Sequence, residues 1–572
     1  MSSVTQTITL PVCDASELKN GDIRDFEFGE GEKKGKVFLA KVDDKVVRAI
    51  LKRFFATSAY CTHYGAPLVK GVLETTKGHP TLRCGWHSAC FNLCTGDIED
   101  APGLDSLHKF DAKEENGKIL VTANMADVMS KYGRSPLKSD KRAIAQADKK
   151  SSEETVVIVG GGAGGHHTME SLREHGFKGK IVMISKETSP PFDRTKLSKA
   201  LITSAAKLVW RTDEEMKNDF KVELHTSTSV KSIDADAKTV AVDKAGVEPI
   251  KYDHLVIATG GQPKKLPIEG ADLDNVCLLR TIEDAQKIVA GLDDKAKVVI
   301  IGTSFVGMEL AGAIVKKKPA SIDVIGVDEV PFAKILGEKI GGAVQKDLES
   351  QGVKFHMKAN IEKIAPSESD SSKVGSVILK DDSPLECSLL IMGTGVQPAT
   401  AFLADSGFKL EEDKGIAVDE YLQVEGKQHI YALGDIAHWP EYKSGEKRRI
   451  EHWQVASNQG RVIGQNISVP EKRIAYRKAP FFWSSIGKGL RYVSTQNGFE
   501  DIYIDGDVDK ELKFVAYFAK GDEVVAVASM QRDPYVAKSV DLLSLGLMPS
   551  FSEIKGGKSI LEIDLVGQGS TN

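Results

Sequence analysis

Thr155-Val-Val-Ile-Val159-Gly160-Gly-Gly162-Ala-Gly-Gly165 sets the architecture of the largest part of this 572-residue chain. A short, wholly apolar run ended by glycine reads as a buried strand. Gly160, Gly162 and Gly165 have the G-x-G-x-x-G spacing of a dinucleotide-binding turn. Such glycines let a pyrophosphate approach the N-terminus of the next helix, where free N–H groups and the helix dipole favour negative charge. An acid for the ribose is expected roughly twenty residues on, after the second strand. Lys180 to Ile184 reads as that strand, and Glu187 is the candidate acid.

The pattern recurs. Lys297 to Ile301 reads as a strand and is followed by Gly302-Thr-Ser304-Phe-Val-Gly307. Here Ser304 replaces the middle glycine, which leaves less room for a pyrophosphate. A further strand, Ile322 to Ile325, leads into Gly326-Val-Asp328-Glu329. An acid there accepts the 2′-hydroxyl of NAD and repels the 2′-phosphate of NADP. No Arg or Lys falls between 322 and 333, so NADH is expected in preference to NADPH. Strands alternating with helical segments imply parallel βαβ units, hence α/β domains.

Upstream the character is different. Residues 1–122 alternate strand-like runs with Gly- and Asp-rich turns and read as a small all-β domain. Residues 123–154, rich in Lys, Asp, Ser and Ala, read as a linker. Inside the β domain stand Cys61-Thr-His63 and Cys84-Gly-Trp-His87. Two thiolates and two imidazoles in mixed Cys–His pairs are the ligand set of a Rieske [2Fe–2S] cluster, in which one iron takes two Cys and the other two His. A zinc site uses the same ligand types. Zinc fingers, however, usually pair Cys with Cys and His with His.

The net charge of −5 argues against nucleic acid as a partner. The seven cysteines are odd in number, and Cys61, Cys84, Cys90 and Cys94 crowd together. That distribution suits a metal site in a reducing compartment rather than a disulfide framework. Met1 to Leu10 lacks a secretory signal pattern. The most membrane-like stretch, Val298 to Val315, carries Glu309 and is better explained by the dinucleotide motif, so no membrane span is expected. The cytosol is the expected compartment, with the mitochondrion as the alternative.

Residues around the Cys–His pairs carry a resemblance to Rieske ferredoxins: Gly65-Ala-Pro67, Trp86, Ala89-Cys-Phe-Asn92 and Thr95-Gly-Asp97. Respiratory-complex Rieske proteins have an extra cysteine in each ligand loop. Ala66 and Trp86 stand there in this chain, so the soluble ferredoxin type is implied, at the low end of the Rieske potential range. From about residue 155 to 490 the chain resembles flavoprotein reductases with two dinucleotide domains, the group of oxygenase-coupled ferredoxin reductases and apoptosis-inducing factor. The resemblance rests on Tyr252-Asp-His-Leu-Val-Ile-Ala-Thr259-Gly260, Gly393-Thr-Gly395-Val-Gln-Pro398, Ile430-Tyr-Ala-Leu-Gly434-Asp435, Asp193-Arg194-Thr-Lys-Leu-Ser-Lys199, Glu451-His452-Trp453 and Phe482-Trp483-Ser484. With the β domain included, the whole chain resembles the apoptosis-inducing factor-like, Rieske-containing subfamily.

The resemblance implies an FAD-binding domain at 155–275 and 395–471, an NAD(P)H-binding domain at 276–394 and an α+β interface domain at 472–572. It implies that Asp435 hydrogen-bonds the ribityl chain, that Arg194 and Lys199 contact the flavin, and that His452, Trp453 and Trp483 lie near the isoalloxazine. It also implies a Lys199–Glu309 ion pair beside the flavin N5 edge. Cys277 and Cys387 form no C-x-x-C, so thiol–disulfide turnover is not expected. The expected activity is transfer of electrons from NADH through FAD to the cluster and on to an acceptor, whether protein, quinone or oxygen. A signalling flavoprotein switched by nucleotide binding is the rival reading, and a zinc-bound docking module on a flavoenzyme the third. A homodimer is left open.

Overall fold

The structure is a computed structural model that describes residues 6–31, 33–43, 53–130, 134–135 and 153–567. The N-terminal part is all-β. Its six-stranded antiparallel sheet runs in the order Thr7–Asp14, Lys118–Asn124, Lys109–Glu115, Phe54–Ser58, Lys33–Lys41, Ile23–Glu30. Beside it lies a four-stranded antiparallel sheet: Val72–Glu74, Thr81–Arg83, Cys90–Asn92 and Ile98–Asp100. This domain does not stop at residue 122. Met125–Met129 is helical, with Met125 and Val128 buried on the sheet, and Arg134–Ser135 pairs with Ser106–Leu107. The linker expected at 123–154 therefore begins later. Met125 and Val128, one helical turn apart, are too short a signal to outweigh the polar composition around them. Residues 136–152, the rest of that expected linker, lie outside the described residues.

Two five-stranded parallel sheets follow. The first has the order Val222–His225, Lys180–Ile184, Thr155–Val159, His254–Ile257, Ile430–Ala432. The second has the order Val276–Cys277, Leu389–Met392, Lys297–Ile301, Ser321–Ile325, Val353–His356. Both central strands are buried on both faces, which is why they read as unbroken β-branched runs. The last strand of the first sheet comes after the whole second unit, so the second unit is inserted into the first. The chain crosses between them on the pair Gly261–Pro263 and Val396–Pro398. The C-terminal part is a five-stranded antiparallel sheet, Phe481–Ile486, Lys488–Ser494, Glu523–Met530, Lys513–Lys520 and Asp501–Asp507, backed by the helix Tyr535–Leu545. Among the described residues no helix is long and apolar enough to cross a membrane.

Candidate functional site

Each Cys–His pair sits on a loop closed in the same way. The amide of Cys61 donates to the carbonyl of Ala66 at 2.9 Å, and that of Cys84 donates to Ala89 at 2.8 Å. The two loops meet. Nδ1 of His63 lies 3.2 Å from Nδ1 of His87. The Cys61 and Cys84 thiols hydrogen-bond each other; that bond and burial push Cys61 well above the ordinary thiol range. Burial, followed by the neighbouring His63, holds His87 well below the usual imidazole range. Among the described residues no group of three or more His, Cys, Asp and Glu is gathered around a single metal position. The four fall instead into a Cys pair and a His pair, the division a two-iron cluster with split ligation requires.

In the first α/β unit, Gly160 has φ +116°, and a Cβ there would stand 2.2 Å from the carbonyl oxygen of Ala258, so only glycine fits. Gly162 caps the helix Ala163–Glu174 and faces open space, with nothing within 4 Å of an added Cβ. This is a cradle of bare backbone at a helix N-terminus, and the donor set suits a pyrophosphate. Gly165 packs on the backbone of Gly160. Glu187 lies beyond the second strand and pairs with Arg194 at 2.9 Å. Gly260 follows Thr259, whose buried hydroxyl has no hydrogen-bond partner among the described residues. Gly434 leads into Asp435, which meets Arg280 at 3.2 Å. Nδ1 of His452 and Nε1 of Trp453 are also buried without partners among the described residues. These orphaned polar atoms, ranged around the cradle, fit a large polar ligand such as FAD.

Lys199 and Glu309, from different α/β units, are brought together at 3.0 Å. Glu309 also accepts hydrogen bonds from the hydroxyls of Ser198 and Ser484, each at 2.5 Å. Burial first, then Lys199, pushes His452 down to about 3. Ser484 belongs to the C-terminal sheet, so three parts of the chain meet at one carboxylate.

In the second unit Gly302 takes φ +110° and approaches the carbonyl of Gly393, while Ser304 caps the helix Phe305–Ile314. Gly307 packs on the backbone of Gly302, and Gly395 lies in the crossing segment with φ +87°. Asp328 pairs with Lys334 at 3.1 Å, and Glu329 pairs with Lys358. The acids are free of basic residues in the adjoining sequence but not in space, because the helix Ala333–Leu336 and the loop after Val353–His356 return lysines to them.

The β domain is joined to the rest by contacts that no linear pattern shows. The His63 ring stacks on Tyr64 at 3.7 Å and lies 6.1 Å from Trp453 and 5.8 Å from Trp483. His87 lies 4.9 Å from Trp483. The Tyr64 hydroxyl donates to Asp193, at the head of the Asp193–Lys199 run. Ser198, Ser484 and Tyr64 all stand inside or beside segments singled out above, but nothing in a linear pattern says which neighbour a hydroxyl will find.

The fold and these sites define an FAD- and NAD(P)H-dependent oxidoreductase carrying a Rieske [2Fe–2S] centre. Residues 154–460 match the family described as pyridine nucleotide-disulphide oxidoreductase, and residues 9–111 match the Rieske [2Fe-2S] domain. The chain belongs to the Rieske-containing, apoptosis-inducing factor 3 type of this family. It is 38% identical over 537 residues to apoptosis-inducing factor 3 of Homo sapiens, covering 94% of this chain and 84% of that protein. It is 29% identical over 385 residues to rhodocoxin reductase of Rhodococcus erythropolis, covering 66% of this chain and 87% of that protein. Among solved structures, the covalent putidaredoxin reductase–putidaredoxin complex superposes with a TM-score of 0.66 at 26% identity, over 71% of this chain and 96% of that one. A ferredoxin reductase from Rhodopseudomonas palustris superposes at 0.65 and 29% identity, over 70% of this chain and 97% of that one. Pyridine-nucleotide-dependent electron transfer is the activity these matches support.

Proposed function

We propose that electrons pass from NADH through FAD to a Rieske cluster in the same chain, and from there to an external one-electron acceptor. The observation that carries this reading is the contact of His63 and His87 with Trp453 and Trp483. It sets the His end of the ligand set against the aromatic segments assigned to the flavin ring. FAD supplies the exchange between two-electron and one-electron chemistry, and the cluster supplies a one-electron carrier.

The chain's own residues do the rest. Cys61, His63, Cys84 and His87 are the proposed iron ligands. Gly160, Gly162 and Gly165 admit the FAD pyrophosphate. Glu187, Arg194, Thr259, Gly260, Gly434 and Asp435 line the remaining length of that ligand, while His452 and Trp453 stand near its ring end. Lys199 holds positive charge at the ring edge, and Glu309, fixed by Ser198 and Ser484, orients it. Gly302, Gly307, Gly395 and Asp328 are the proposed NAD(P)H contacts. No cysteine forms a disulfide, which suits a reducing compartment, and the cytosol is the one proposed.

Metal and sulfide analysis of purified protein, followed by anaerobic addition of NADH under EPR, tests the reading. Two irons and two sulfides per chain, with a low-average-g signal appearing on reduction, are expected. Tightly held zinc without iron overturns it.

A further inference from the structure

We infer that the Rieske domain is a fixed part of this molecule rather than a tethered, exchanging carrier, and that it permanently fills the surface a separate ferredoxin would need to reach the flavin. The inference rests on the functional reading above and goes further, because that reading is silent on whether the contact is permanent. Domain interfaces within a chain are mobile by default unless they are large and apolar. This one has features of a common core.

Two apolar side chains cross the boundary in opposite directions. Val72 of the Rieske domain is packed in the core of the C-terminal domain with Phe481 and Val515. Val566, near the C-terminus, is packed in the Rieske core with Phe38 and Leu68. The C-terminal segment is pinned there by its backbone. The amide of Thr75 donates to the carbonyl of Leu565 at 3.1 Å, and the amide of Gly567 donates to the Thr75 hydroxyl at 3.1 Å.

Buried charge ties the same boundary. Arg83 immediately precedes the ligand Cys84 and is 4% exposed. Its Nε donates to Asp541 at 3.0 Å and its Nη2 at 2.7 Å, while its Nη1 pairs with Asp100 at 3.0 Å. From the other side, Arg211 of the first α/β unit reaches Asp105 at 2.8 Å and Glu170 at 2.9 Å. Arg491 of the C-terminal sheet donates to the carbonyl of Trp86, inside the second ligand loop, at 3.2 Å. These bonds reach the Rieske domain from both the first α/β unit and the C-terminal domain. A domain that swung away would break a bidentate, buried arginine–carboxylate pair and pull two apolar side chains into water. While it stays, Trp453 and Trp483 are covered, so a protein carrier can collect electrons from the Rieske domain but not from the flavin edge.

The test uses the full-length holoenzyme carrying a recognition site for a sequence-specific protease within residues 140–152. After cleavage, both fragments are expected to elute together in gel filtration at high salt, without denaturant. Elution of the Rieske fragment alone overturns the inference. A second measurement follows cluster reduction in a single turnover with NADH as sucrose raises the viscosity. A rate unchanged by viscosity is expected, and a rate falling in proportion to viscosity overturns fixed docking. Failure of the functional reading shows separately. It appears as a cluster that NADH does not reduce in the uncut protein, an outcome that leaves the elution result intact.

Discussion

Glu309 is 2% exposed and faces one ammonium and two hydroxyls, which come from two other parts of the chain. Removing one partner of a buried ion pair leaves the other uncompensated, at about 3–5 kcal/mol. Glu309→Ala is therefore expected to slow flavin reduction by NADH and shift the flavin potential while FAD content stays near normal. Stopped-flow bleaching of the flavin and a redox titration check this. Unchanged values in both remove the role. Ser484→Ala keeps the charges and should give the same change at smaller size. At the nicotinamide unit, Asp328→Ala frees Lys334, so the kcat/KM ratio should move toward NADPH. A half-buried histidine sets an acid limit. Burial, followed by His429, holds His254 down to about 4, whereas an unfolded histidine titrates near about 6.5. The unfolded chain then binds more protons in that window, so stability falls as pH drops from about 6.5 toward 4 and is unaffected above it. A His254→Gln variant should show a flatter fall in melting temperature over that range.

The helices Ala163–Glu174 and Trp453–Ser468 lie against each other through small residues. A Cβ on Gly460 would stand 2.4 Å from the carbonyl oxygen of Gly164, and the hydroxyl of Ser171 donates to the carbonyl of Arg461 at 2.7 Å. This contact positions two functional features at once. The first helix begins at the Gly162 cradle, and the second begins at His452 and Trp453. Gly460→Ala is expected to force the helices apart, costing about 1–3 kcal/mol as overpacking does. FAD retention should fall together with the melting temperature. A normally stable variant that keeps its FAD would show that the spacing is not critical. Strand alternation acts similarly in Phe481–Ile486, where Trp483 touches His87 and the next residue, Ser484, touches Glu309.

At the scale of the molecule, the Arg83–Asp541 pair joins elements far apart in sequence. Arg83→Met should destabilise the protein by about 3–5 kcal/mol, because Asp541 is left buried and unpaired. Adding Asp541→Leu should recover much of that loss in chemical denaturation. Equal damage in the double variant would mean that the charges themselves are needed. A cluster-free Cys84→Ser protein should still reduce a small dye with NADH but should fail with a protein acceptor, since the Rieske domain covers Trp453 and Trp483. Rapid reduction of cytochrome c by that variant would contradict the fixed arrangement.

Local chemistry made much of this legible in advance. Ligand loops, glycine turns and parallel strands depend on residue types at short spacings, so Cys61 to His87, Gly160 to Gly165 and Gly302 to Gly307 declared their domains in the primary structure. Lys199 and Glu309 became a pair only through resemblance, since their spacing says nothing about distance. Three-dimensional packing alone placed Lys334 beside Asp328, Ser484 beside Glu309, and His63 against Trp453. It also extended the β domain past residue 122 through Met125 and Val128. The physical reason is the same in each case. These contacts join residues remote along the chain through charge, hydroxyl or apolar surface, which many partners could satisfy equally well. Which partner is met depends on how whole domains dock.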